Sequence, residues 1–288
     1  MPSFSCTIIY NSFPTLPRHI LFDILKNMII DFHAHIYPEK ISSKASSAIS
    51  DFYEGAPMAF SGTASELIDS GRKAGVSNFV VHSAATGEKQ VSSINNFILS
   101  EVNEHSEFIG FGTMHPDFEN FEDELKRIKK EGLKGIKLHP DFQKFKADSE
   151  KMDGVYEICS SLNLIVLFHA GDARFDFSGP KRILRVHEKH PELKIVAAHF
   201  GGYTEWDKSL EILCGKDLYF DTSSTLWKLP YEKADNMIKA HGVERFLFGS
   251  DFPMWSHNDE LRRFDKLSLN SKEKDMILYE NAKELLGL

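Results

Sequence analysis

Eight short apolar runs recur along the chain from Met28 onward, and longer stretches of helical periodicity separate them. They are "MIIDFH" (28–33), "NFVVHS" (78–83), "FIGFGTM" (108–114), "KGIKLH" (134–139), "NLIVLFH" (163–169), "KIVAAH" (194–199), "DLYFDT" (217–222) and "RFLFGSD" (245–251). Each has the length and composition of a buried strand. Between them, "FEDELKRIKKEG" places Phe121, Leu125 and Ile128 on one helical face. "DGVYEICSSLN" and "PKRILRVHEKH" are similar, with Pro180 at a first helical position, and "SKEKDMILYENAKELLGL" reads as a closing helix. Eight strand–helix units in about 260 residues match an α/β fold, the (β/α)8 or TIM barrel, as a single domain. An open doubly wound sheet is the alternative, but no Gly-rich phosphate loop follows the first strand. The longest interruption, between the first two strands, predicts a lid or rim over the barrel mouth, then a helix near Ala64 to Ala74.

Residues 1–27 read differently from residues 28–288. They lack the charged start and clean apolar core of a secretory signal. The expectation is an N-terminal extension loosely attached to the barrel, with Met28 as the natural start; a short accessory helix at Pro17 to Lys26 competes with it. A net charge of −8 speaks against a nucleic-acid partner, which would need a basic footprint. Apolar runs fall short of a membrane span. Cys6, Cys159 and Cys214 form no metal spacing and cannot all pair, which fits a reduced, cytoplasmic setting. The expected partners are a small-molecule substrate and, at most, a second copy of the chain in a homodimer.

The first run ends in "DFHAH". On a regular strand His33 and His35 share a face, roughly 6–7 Å apart, with Asp31 beside them and Phe32 and Ala34 opposite. Burying two imidazoles side by side is costly unless each finds a partner. A divalent metal satisfies both; the bland alternative is a pair facing water. His139, His169 and His199 also close predicted strands, at two equal spacings of 30 residues, and Asp251 closes the eighth. In a barrel these ends converge on the C-terminal face, where barrel active sites are built. His82 and His115 fall at strand ends too and are set aside as controls. His105, His187, His190 and His241 lie on predicted helices and read as solvated.

Through "DFHAH", "GIKLHP", "FHAG", "AHFGG", "GSDFP" and "ILYENAKELLGL", the chain resembles the amidohydrolase superfamily from Met28 to Leu288. The similar branch is the amidohydrolase-related one, which holds metal-dependent hydrolases and carboxy-lyases. The resemblance implies metal ligands at His33, His35, His169 and Asp251, with His199 catalytic and Asp251 also relaying a proton. It implies one divalent ion, Zn2+ first and Mn2+ as the alternative. Binuclear relatives carry a carboxylated lysine or a glutamate at the fourth-strand end; here that end is His139, with Lys137 one pleat deeper. This departure favours a single metal and leaves His139 between supporting the site and touching substrate.

The expected chemistry follows from an ion with an open position that activates water. The first reading is hydrolysis of a small, carboxylate-bearing amide, ester or lactone. Its rival is non-oxidative decarboxylation of a small unsaturated or aromatic acid. A structural or regulatory metal is disfavoured by the open site, and a deoxyribonuclease by the acidic balance and the missing fourth-strand carboxylate. Arg174 is the candidate to grip a substrate carboxylate, and Phe142, Tyr203, Trp227 and Trp255 are candidate apolar walls.

Overall fold

The computed structural model describes residues 28–288. The expected N-terminal extension and its competing helix lie outside the described residues. Eight parallel strands follow one another in sequence order: β1 (Ile30–His35), β2 (Asn78–His82), β3 (Phe108–Thr113), β4 (Gly135–Leu138), β5 (Ile165–Phe168), β6 (Ile195–Ala197), β7 (Tyr219–Asp221) and β8 (Phe246–Leu247). The last returns to the first. Phe32 N donates to Phe248 O at 2.8 Å, Asp251 N to His33 O at 2.9 Å and His35 N to Phe252 O at 2.7 Å. The fold is the expected TIM barrel.

Alternation along each strand divides the core. Ile165 and Leu167 turn into the barrel, while Val166 and Phe168 face the helices outside. Ile30, Phe32, Val80, Phe111 and Leu247 complete the inner packing, joined by Leu285 and Leu286 of the closing segment. That segment is not one regular helix: a π-helical stretch, Met276–Glu280, separates Ser271–Asp275 from Asn281–Leu286. The helices Phe121–Lys130, Asp153–Ser161, Pro180–Lys189 and Ala64–Ala74 lie where periodicity places them. The last opens with a capping box between Thr63 and Glu66 and stops at Gly75, whose φ of 81° suits glycine. The long interruption forms the helix Glu39–Phe52 and a return segment, and Phe60 N donates to Pro253 O at 3.1 Å to fasten that segment at the barrel mouth.

β6 and β8 end two and four residues before their apolar runs do. His199 and Asp251 lie beyond β6 and β8, in left-handed conformations with φ of 59° and 60°. Such conformations are uncommon without glycine and persist where surrounding bonds hold them. Among the described residues, no helix is long and apolar enough to cross a membrane.

His241 was expected on a solvated helix face, but it is buried. Its ring stacks on Phe220 at 3.9 Å, Nε2 faces Leu218 O at 2.8 Å, and Nδ1 accepts from Gly215 N at 3.2 Å. His190 is likewise buried, against Asp153. Each sits at a helix C-terminus a few residues before the next strand, where helical periodicity gives no face assignment. Burial lowers the His241 imidazole to about 4. Because the unfolded chain takes up that proton near 6.5, stability from this group is present above 6.5 and is lost as pH falls toward 4. His241→Phe should cost roughly 1–3 kcal/mol at pH 7.5 through two lost hydrogen bonds. Urea unfolding should show the gap from the native protein narrowing at pH 5; a constant gap would count against the titration.

Candidate metal centre

The local geometry of β1 departs from a regular strand. Its pairing with β2 slips between Asp31 and Ala34, where an extra residue bulges out of register. Phe32 therefore joins Ile30 inside the barrel, and His33 turns inward directly after it. Asp31 does not share the face of His33, as regular alternation had implied. Its carboxylate lies on the other side, accepting from Ser250 N at 2.9 Å and facing His257 Nε2 at 3.0 Å. A bulge re-aims side chains without leaving a mark in the apolar pattern.

His33 Nε2, His35 Nε2 and Asp251 Oδ1 form a triangle with sides of 3.3, 3.3 and 3.5 Å. Tetrahedral ligands at ~2.0–2.1 Å from an ion lie about 3.3–3.4 Å apart, so the three atoms fit a divalent metal. The protons fit as well. His33 Nδ1 donates to Asp221 Oδ2 at 2.8 Å, which leaves the Nε2 lone pair aimed into the triangle. Burial lowers the His35 imidazole to about 4, so it is neutral at pH 7. Burial opposes the charge on Asp251, yet the neighbouring His33, His35 and His199 together hold its carboxyl well below the usual range. Lys137 Nζ also touches His33 Nε2, at 3.1 Å, and burial lowers its ammonium to about 8.

A second chain of imidazoles continues from this triangle. His199 Nδ1 donates to Ser223 O at 2.9 Å, so its Nε2 accepts from His169 Nδ1 at 3.0 Å. His169 Nε2 is then a free lone pair, and this buried atom has no hydrogen-bond partner. It lies beside Asp141 Oδ2, 3.9 Å away, and groups with His139 and Asp141 rather than with the His33 triangle. Burial raises the Asp141 carboxyl to about 7. His139 stacks on His169 with ring centroids 3.9 Å apart.

Above these groups is a cleft of at most about 340 Å³, walled by Ile49, Tyr53, Met58, Phe142, Pro253 and Met254. His139 Nδ1 accepts from Phe142 N at 3.3 Å, so its Nε2 donates to Tyr53 Oη at 3.3 Å. The Tyr53 hydroxyl proton is thereby free for a ligand. Burial pushes its pKa well above 10, so that proton stays on oxygen at neutral pH.

Arg174 is placed elsewhere. Its guanidinium is committed to Asp172, at 2.7 and 3.0 Å, and to Phe52 O at 2.6 Å, outside the cleft lining. Of the proposed walls, Phe142 lines the cleft and Tyr203 packs on His199, whereas Trp227 and Trp255 pair with each other outside its lining and donate to Ser224, whose hydroxyl bonds Asp251. His115 pairs with Asp117, off the site, but His82 lies directly against His33 and His35. Three further functional residues escaped the sequence reading: Asp221, Ser223 and Tyr53. Asp221 carried a signal, as the acid next to the end of the seventh run; Tyr53 carried none, because it follows the helix Glu39–Phe52 and reaches the site only through tertiary packing.

The family described as Amidohydrolase matches residues 30–288. No curated protein matches the sequence. Among solved structures, a 5-carboxyvanillate decarboxylase from Sphingomonas paucimobilis is similar at 14% identity, with a TM-score of 0.71 over 91% of this chain and 99% of that one. A dihydroxybenzoic acid decarboxylase from Polaromonas sp. JS666, with bound manganese and the inhibitor 2-nitroresorcinol, gives 16%, 0.70, 91% and 97%. A protein described as a probable 2-pyrone-4,6-dicarboxylic acid hydrolase from Acinetobacter baumannii, with citric acid bound, gives 20%, 0.67, 90% and 99%.

Replacing His33, His35 or Asp251 by alanine should lower affinity for a divalent ion at least tenfold in elemental analysis of dialysed protein. His199→Ala, which removes no corner of the triangle, and His115→Ala should keep the ion. Full retention in the Asp251 variant would take that carboxylate out of the ligand set.

Proposed function

The chain belongs to the amidohydrolase family, and from that premise we propose a metal-dependent enzyme that decarboxylates a small, single-ring acid. The observation that carries this reading is the character of the cleft. Its walls are apolar and aromatic, and among the described residues no lysine or arginine is part of its lining. With Arg174 committed to Asp172, an acidic substrate would place its carboxylate at the ligand triangle, where the Lys137 ammonium touches His33. The stacked planes of Phe142, His139 and His169 favour a flat ring beside them.

A divalent ion held by His33, His35 and Asp251 would supply Lewis acidity toward a carboxylate or carbonyl oxygen. The chain's own residues do the rest. Tyr53 Oη donates a hydrogen bond to a substrate oxygen. His199 holds its orientation through Ser223 O and presents no charge, since burial lowers it to about 4. In decarboxylation the carbon–carbon bond to the carboxylate breaks, carbon dioxide leaves, and the ring carbon takes up a proton.

Hydrolysis of a small lactone, ester or amide is the second reading. Its support is Asp251, an ionised carboxylate at the edge of the cleft that can accept a proton from water. The relatives described above include both kinds of enzyme. Turnover in oxygen-18 water separates them. A decarboxylase releases one carbon dioxide per turnover and leaves no label in the remaining skeleton; heavy oxygen in a newly formed acid group would favour the hydrolase. Tyr53→Phe should slow kcat/KM about tenfold, the worth of one hydrogen bond, with metal content unchanged.

A further inference from the structure

His82 ends β2 directly across from His35, with which it is paired in register. It is wholly buried, and neither ring nitrogen has a hydrogen-bond partner. A buried imidazole with both nitrogens unsatisfied is a costly placement for packing alone. Its ring centroid is 4.4 Å from that of His35 and 5.0 Å from that of His33. One nitrogen from each of the three histidines lies within 4.8 Å of the others. On the far side of β1, the bridge between Ala34 and Phe252 brings Asp251 to the same point.

We propose that His82 is a ligand of the metal centre, which becomes a three-histidine, one-aspartate site drawn from β2, β1 and the turn after β8. The chemical consequence is a choice of ion. Manganese prefers carboxylate, carbonyl and water oxygens, whereas imidazole nitrogen suits zinc and its late-transition neighbours. A third imidazole therefore turns the centre toward Zn2+ or Co2+ and away from Mn2+. The inference deepens the reading that a divalent ion occupies the triangle, and its test does not use turnover.

Two measurements decide it. In the zinc-loaded native protein, a crystal structure recorded at the zinc edge should place the ion about 2.0–2.1 Å from a nitrogen of His82. An ion centred on His33, His35 and Asp251 with both His82 nitrogens beyond about 3 Å, outside any coordination distance, would overturn the assignment. Competition between Zn2+ and Mn2+ for the native protein and for His82→Phe, which keeps a ring in the space, should show the zinc preference falling at least tenfold. An unchanged preference in a folded variant argues against the ligand role. Should the native protein bind neither ion, this assignment and the proposed function fall together; an ion bound without His82 removes only this assignment.

Discussion

Closure of the sheet upon itself is the constraint on which the site depends. Three backbone hydrogen bonds join the first strand to the segment after β8, and one of them runs from Asp251 N to His33 O. Those residues are more than 200 positions apart in the chain. The same closure that removes the sheet edge therefore sets the short sides of the ligand triangle. The left-handed turn at Asp251 is tolerated because its own N–H is held by His33 O.

Proton placement then follows from one anionic group. Asp221 accepts from His33 Nδ1, from His199 N and from Ser223 N, so a single carboxylate orients the His33 imidazole and fixes the backbone at His199 and Ser223. Burial opposes its charge, but the surrounding histidines and the Ser223 hydroxyl hold its carboxyl far below the ordinary range. Each donor that is satisfied on one side of a ring leaves a lone pair on the other. The site's readiness for a cation is written in that arithmetic of tautomers.

Sequence periodicity exposes the barrel well, because period-two runs and helical stretches are local consequences of burial. The convergence of His33, His35, His139, His169, His199 and Asp251 on one rim follows from that count, since strand ends of a barrel share a face. What periodicity misses is sub-residue geometry. A bulge in β1 sends Asp31 outward, and nothing in "DFHAH" announces it. Arg174 has the right chemistry for a carboxylate, yet the nearer anion is its own neighbour Asp172. His82 resembled incidental strand-end histidine until its two empty nitrogens were placed beside His35. The resemblance implies His169 as a ligand, and its Nε2 is an unpartnered buried nitrogen, beside Asp141.

The distance in sequence between His33 and Asp251 has a consequence for the order of events in a cell. A chain emerging from the ribosome presents "DFHAH" long before the segment that completes the triangle. Two histidines alone are a weak and unselective chelate, able to pick up whichever soft cation is abundant. Only barrel closure adds the carboxylate and the orienting Asp221, so the full set of candidate ligands exists only in the closed sheet.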